Sequence, residues 1–379
     1  MTKQCERLEL LSASPGTRRH LVVHRYRGSA DGPKAYFQGA LHADETPGTL
    51  VAHHLIRRLD AEAAAGRVRG EVVVVPVANP IGLSQVVAGR LIGRFDLTSR
   101  GNFNRDFPDV TQAVGDAVAS QLGRDAAQNV RLIRAAFGAA LAALEPVTEV
   151  HHLKVTLLRL AHDADVVLDM HCDSVALPHL YLSTASWPEG RDLSAALGSR
   201  ATLLALDSGG SSFDEVFSLL WHRLAERFGP DLPIPMACLS GTAEYRGQLA
   251  VSDAEAEADA DGLIQFLRHR GILDGPAALP PPQCEATPLE ATEVVKAPTS
   301  GILVLHRRLG ERLAKGDVFA SIIDPMAEDQ STARTSVTAG TDGLFLTHCL
   351  HRQVRAGQGI AKIVGTVPLP SRTGVLVSE

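Results

Sequence analysis

The chain has 379 residues, enough for one large core and a second, smaller one, since single cores stop growing at about 250–300 residues. With 45 % hydrophobic and 21 % charged residues it has the composition of an ordinary soluble protein, and a net charge of −6 with 4 % aromatics gives no basis for a nucleic-acid partner. No apolar run reaches the roughly eighteen residues of a membrane span, "MTKQCERLELLSASPG" lacks a secretory apolar region, and five widely spaced cysteines fit a reducing compartment, so the expected location is the cytoplasm.

The first two thirds alternate strand-like and helix-like patterns, which predicts an α/β sheet. "KAYFQGAL" reads as a buried strand, and "PGTLVAHHLIRRLDAEAAAG" as a helix with Leu50, Val51, Leu55, Ile56 and Leu59 at helical spacing, ended by Gly66. "EVVVVPVAN" is short, continuous and β-branched, as expected of a strand covered on both faces. "AVGDAVASQLG" and "NVRLIRAAFGAALAALEP" read as helices, "LLRLAHDADVVLDMHC" as a helix running into a strand, and "LPHLYLST" as a further strand. "SDAEAEADADGLIQFLRHRG" predicts a helix opened by a capping box of Ser252 and Glu255, its acidic run a solvated start favoured by the helix dipole.

The prolines of "DGPAALPPPQ" mark a linker, dividing the chain into expected domains 1–285 and 286–379. Residues 297–322 and 339–363 repeat one pattern, in which a leading glycine is followed by a second, and Ala and Ile then stand four and six positions on: Gly316, Ala320, Ile322 and Gly357, Ala361, Ile363. This predicts a small pseudo-symmetric all-β sandwich that resembles the barrel-sandwich hybrid of biotinyl and lipoyl carriers. The joining stretch "DPMAEDQSTARTS" has no lysine, so the expected role is structural or oligomerising, and self-association into a homo-oligomer fits it.

"LHADETPG" ends the first buried strand on His42 and brings Glu45 three positions later. A loop leaving a strand can fold these two round one Zn²⁺, and a catalytic zinc site, often His₂Glu, asks for one more ligand and an open position. "DVVLDMHCD" supplies His171 at the C-terminal end of a second apolar strand, where open α/β sheets build their sites, with Asp169 on the same face to orient it. In "GRFDLTSRGNFNRDFPD", Arg94 and Arg105 flank asparagines in a segment with little periodicity; guanidinium forks suit carboxylates and developing oxyanions.

In that order, "HADE", "NFNRDF" and "DMH" resemble the succinylglutamate desuccinylase/aspartoacylase family, relatives of the zinc carboxypeptidases, over roughly residues 35–270. The resemblance implies a mixed-sheet, zinc carboxypeptidase-like catalytic domain, one zinc ion per chain, and hydrolysis of the amide bond of an N-acyl amino acid or similar small carboxylate-bearing amide. It implies His42, Glu45 and His171 as zinc ligands, and Asn104 and Arg105 as the pair holding a substrate carboxylate. It implies Arg94 as the arginine polarising the scissile carbonyl, with Arg100 as competitor, and Glu244 of "SGTAEYRG" as the catalytic glutamate. The chain departs from the family at Ala43, where glycine is usual, and at Tyr245 and Arg246, where small residues are usual.

Two other functions share these motifs: a metallocarboxypeptidase on short peptides, and a non-catalytic metal-binding assembly protein. Three ligands favour catalysis, because structural zinc sites are closed by four. His53, His54, His151, His152 and His162 lack ligand spacing and are expected on surfaces or in packing; Cys172 is expected as a buried small residue and Asp44 as a hydrogen-bond acceptor stabilising its loop. Tyr181 and Tyr245 are candidates to line the pocket.

Overall fold

The computed structural model describes residues 2–28 and 32–377. It opens with two strands the hydrophobic pattern does not announce, β1 (Thr2–Glu9) and β2 (His20–Arg27), paired antiparallel. β1 is largely exposed because it forms the sheet's edge, and its charged sequence suits that position. Then follow β3 (Lys34–Gly39), buried throughout, α1 (Thr46–Ala64) and β4 (Glu71–Val75). Beyond a short α2 (Pro80–Leu83) and the hairpin β5 (Val86–Val87) and β6 (Arg90–Leu91) come α3 (Thr111–Val118), α4 (Ala126–Ala142) and α5 (Glu149–Ala161). The next elements are β7 (Val166–Asp173), β8 (Val175–Ala176), β9 (His179–Ser183), α6 (Arg191–Ala196), β10 (Ala201–Ala205), α7 (Phe213–Phe228), β11 (Leu239–Gly247) and α8 (Asp253–His269).

The stretch 274–285 is irregular, as its prolines require, and leads to β12 (Ala286–Pro288), which closes the main sheet. That sheet has the strand order β1-β2-β4-β3-β7-β11-β9-β10-β12. Its centre, β4, β3, β7 and β11, is parallel; β9 runs antiparallel to β11, and β1 and β2 are antiparallel at the other edge, so the sheet is mixed. Side chains alternate across it: Tyr36 and Val73 enter the core under α3, α4, α5 and α7, while Phe37 and Val74 enter the core under α1, α6 and α8.

One expectation fails locally. Ser252 stands at the N-cap of α8, but the capping box does not form: no side-chain cap bond is made, and Glu255 instead lies 3.4 Å from Arg246 Nε. The acidic start of α8 is correspondingly not all solvated, for Asp259 is buried against Arg246.

The C-terminal strands are β13 (Thr292–Lys296), β14 (Gly301–Leu305), β15 (Arg312–Leu313), β16 (Val318–Ile323), β17 (Arg334–Thr338), β18 (Gly343–His348), β19 (Gln353–Val354) and β20 (Gly359–Val364). They form two sheets, β13-β20-β18-β15 and β17-β16-β14-β19, around Phe319 and Phe345, whose ring centroids are 5.3 Å apart. Each repeat lends its short middle strand to the other's sheet: β15 pairs with β18, and β19 with β14. The first of these sheets continues onto β8, immediately after β7.

Candidate metal centre and cavity

β3 and β7 are parallel neighbours, so their C-terminal ends open side by side. After β3 the chain turns at Ala40, whose φ of 55° is a left-handed conformation uncommon for alanine, and this sends His42 back over the sheet edge. Glu45 is the residue before α1, and the approach of α1 to β7 depends on Gly48, where a Cβ would collide with the Met170 carbonyl. Local chain geometry thereby carries Glu45 to His171.

The contacts are close. Glu45 Oε1 lies 2.9 Å from His42 Nδ1, and Glu45 Oε2 lies 2.7 Å from His171 Nδ1. The ligand atoms of the three residues fall within 4.8 Å of one another, and all three are buried. The far ring nitrogens are engaged elsewhere: His42 Nε2 with Asn102 Oδ1 at 2.8 Å, His171 Nε2 with Asp169 Oδ2 at 2.7 Å. Gln38 in turn donates to Asp169 Oδ1 at 3.0 Å. Both imidazoles therefore turn Nδ1 toward one carboxylate, with outer partners fixing their rings, which is the donor set and support a divalent cation needs. This group could bind a metal ion.

Electrostatics distinguish the two rings. Burial pushes the His42 pKa down, more than Glu45 raises it, with Arg94 lowering it further. His171 stands between two carboxylates; Asp169 and then Glu45 overcome its burial and hold it well above the ordinary histidine range. Burial would raise Glu45, but His42 and His171 hold it well below the usual carboxylate range.

Arg94 donates to Glu45 Oε1 at 3.0 Å, and the preceding Gly93 carbonyl accepts from Ala43 N at 3.1 Å, so the two loops close on each other through backbone. Asp44 is an acceptor through part of its carboxylate, which takes a hydrogen bond from its own backbone N–H, while its Oδ1 is buried without a partner. Arg100 is exposed in a turn and lies outside the cavity wall.

These residues open into a cavity of about 700 Å³ whose wall includes Asn104, Arg105, Tyr181 and Glu244. Asn104 Nδ2 lies 3.4 Å from His171 Nε2, and its Oδ1 accepts from Phe213 N at 2.9 Å. Arg105 donates to the Asn104 carbonyl at 2.7 Å. Glu244 sits opposite His171 in the β11–β7 register; the pairing then shifts before Gly247, with Arg246 at φ 62° and forked onto Asp259 at 2.7 and 3.0 Å. Burial, then repulsion from Glu45, pushes the Glu244 carboxyl up to about 8, and its Oε2 has no partner. Tyr245 points away into the core and is not part of the wall. Cys172 is buried as expected, although its backbone N–H also donates to Glu45 Oε2 at 3.1 Å. His54 is buried against Asp253, and His53 is exposed.

Sequence reasoning missed one partner of the cluster and two parts of this wall. Asn102 is recognisable only by its contact with His42. Asp214 and Glu215 begin a helix in a stretch without a clear pattern. Thr292, Ile360 and Lys362 come from the C-terminal strands, which adds a cavity-lining role to the structural or oligomerising one expected of them. Among the described residues no helix is long and apolar enough to cross a membrane.

Residues 31–218 match the model of the succinylglutamate desuccinylase/aspartoacylase catalytic domain. A solved structure from Shewanella frigidimarina NCIMB 400, described as a succinylglutamate desuccinylase/aspartoacylase, shares 23 % identity over 96 % of this chain and 97 % of its own, with a TM-score of 0.83. A succinylglutamate desuccinylase/aspartoacylase family protein from Shewanella amazonensis SB2B shares 26 % identity over 96 % and 98 %, with a TM-score of 0.82. No curated protein matches the chain in sequence.

Proposed function

From the premise that this chain belongs to the succinylglutamate desuccinylase/aspartoacylase family, we propose that it is a zinc-dependent amidohydrolase removing the acyl group from an N-acyl amino acid or similar small carboxylate-bearing amide. The observation that carries this reading is the buried His42, Glu45 and His171 cluster sharing one cavity with the unpartnered carboxyl of Glu244.

His42, Glu45 and His171 would hold one zinc ion, with Asn102 and Asp169 fixing the two rings. Zinc bound there supplies Lewis acidity, bringing the pKa of a coordinated water toward ~7 and polarising a carbonyl. Glu244 takes the attacking water's proton and returns it to the leaving nitrogen, a base that becomes an acid, for which a carboxyl poised near neutrality is suited. Arg94, beside the ligands, donates to the oxyanion as it forms. Asn104 and Arg105 hold the substrate carboxylate and so fix where the amide lies. The reading includes a catalytic domain over 1–285, to whose sheet β12 adds the last strand, a β-sandwich domain over 286–379 that otherwise stands apart from that sheet and lacks the carrier lysine, and a cytoplasmic setting, supported by five unpaired cysteines.

Elemental analysis of the purified protein, joined to a panel of N-acyl amino acids and dipeptides, tests this. Zinc near one per chain and release of free amino acid from the acyl substrates is the expected result. A zinc-loaded protein inert toward the whole panel, or one cleaving only the dipeptides, overturns it.

A further inference from the structure

Lys154 stands on α5 among the buried Leu153, Leu157 and Leu158 and is itself only 8 % exposed. A leucine or methionine would fill such a place without taking an ammonium out of water, so the charge there needs a reason. Ion pairing does not supply one. Lys34 and Lys362 end on Asp163 and Asp173, whereas among the described residues no carboxylate pairs with Lys154. Its ammonium goes instead to a backbone oxygen, donating to the Arg105 carbonyl at 2.5 Å, and it lies over the Phe107 ring, 5.4 Å from the centroid.

That carbonyl sits at a bend. Asp106, the next residue, has a φ of 53°, in the left-handed region that few residues other than glycine occupy. Its N–H donates to the Gly210 carbonyl at 2.8 Å. Gly210, at φ 105°, also lies against the Arg105 side chain, so closely that a Cβ there would stand 2.7 Å from Arg105 Cδ. The peptide between Arg105 and Asp106 is thus held by both its polar atoms, the carbonyl by Lys154 and the N–H by Gly210. Fixing that peptide fixes the direction in which the Arg105 side chain leaves the backbone. Arg105 stands in the cavity wall and Lys154 does not, so whatever Lys154 does for a ligand passes through Arg105.

We propose that Lys154 is a positioning residue of the carboxylate subsite: by holding the Arg105 carbonyl it aims the Arg105 guanidinium at the substrate carboxylate without touching the substrate. The inference rests on the deacylase reading above and on the place that reading gives Arg105.

The test uses the zinc-loaded full chain with N-acetylalanine and with N-acetylalaninamide, in which the carboxylate is replaced by a neutral amide. Lys154→Met should raise KM for N-acetylalanine by about tenfold or more, the weight of one charge-assisted hydrogen bond, and leave kcat within about twofold. Both parameters for N-acetylalaninamide should stay as in the unsubstituted chain, a split that a merely structural role would not produce. Lys154→Arg, which keeps a charged donor, should hold KM for N-acetylalanine within about threefold. Lys154→Gln, a neutral donor too short for the carbonyl, gives the same measurement if the methionine variant does not fold. An unmoved KM for N-acetylalanine in a folded Met or Gln variant, or an equal loss with both compounds, overturns the proposal and leaves the deacylase reading standing. Calorimetric binding of the two compounds separates the remaining cases. Binding of N-acetylalanine that weakens in the variant, with no turnover of either compound in any chain, supports the positioning role and removes the deacylase reading. An unsubstituted chain that does not prefer the carboxylate compound overturns the subsite and this proposal together.

Discussion

Lys362 Nζ lies 2.6 Å from Asp173 Oδ2, pairing a cation of β20 with the last residue of the strand that carries His171. Burial would raise Asp173, and Lys362 more than offsets it. Both are part-buried, with side chains 29 % and 16 % exposed, so removing one partner leaves the other only partly reached by water. Lys362→Met should cost about 1–3 kcal/mol of stability, and Asp173→Asn added to it should restore most of that. Urea unfolding of the single and double variants measures it. A single variant losing under about 1 kcal/mol would mean the pair behaves as an exposed one and does not tie the C-terminal strands to the site.

A pH dependence follows from His179 on β9. Burial pushes its pKa from the ordinary 6.5 down to about 4, and its Nδ1–H is committed to the Leu177 carbonyl at 2.9 Å while Nε2 is buried without a partner. Between those values the unfolded chain takes up a proton that the folded chain refuses. This contribution is therefore whole above pH 6.5 and is lost as pH falls toward 4, to the extent of about 3 kcal/mol. Denaturant melts across that window should show the loss, with a shallower slope in His179→Gln. An unchanged slope in the variant would assign the acid sensitivity to other groups.

How much of this was legible in advance depended on whether a residue's role was written in its own neighbourhood. His42, Glu45 and His171 stand at the ends of apolar strands, and parallel pairing of β3 with β7 brings such ends together, so their convergence could be read from pattern alone. The strand β1 could not, because an exposed edge strand has no alternating apolar signal. Ser252 and Glu255 have the spacing of a capping box, yet Arg246 offers Glu255 a charged partner that outweighs a backbone N–H. Lys362 and Asn102 have no local signal, since each acquires its meaning only from a residue on another element.

Metal removal should be visible in stability. A ligand that binds only the folded chain stabilises it by ~2.7 kcal/mol at a hundredfold excess over Kd. Chelator-treated protein should accordingly melt lower and recover on adding zinc, and His171→Ala should lose the response. A melting temperature indifferent to zinc in the unsubstituted chain contradicts the proposed ligand set.

Glu244 separates holding the ion from using it. It makes no ligand contact in the cluster, so Glu244→Gln should keep zinc content and fold while kcat falls by about 10²–10⁴-fold, the usual weight of general acid–base catalysis. Metal analysis and steady-state kinetics on one preparation decide this; a variant retaining most of its kcat would move the proton transfer to another group.

The aim of Glu244 depends in turn on the bulge that follows it. The β11–β7 register slips between Glu244 and Gly247, and Arg246 is held there in a left-handed conformation by its two-pronged contact with buried Asp259. Lysine keeps the charge but cannot reproduce the fork. Arg246→Lys should therefore leave Asp259 neutralised, with a modest change in melting temperature, while the loosened bulge lets the Glu244 carboxyl wander. Misplacement of the proposed catalytic group on that scale should lower kcat by between about tenfold and a hundredfold and leave KM nearly unchanged, because Asn104 and Arg105, proposed to hold the substrate carboxylate, lie on a different segment. If Arg246→Lys turned over substrate at the unsubstituted rate, the bulge would have to be held by the sheet alone, and the Arg246 fork would matter only to the packing of α8.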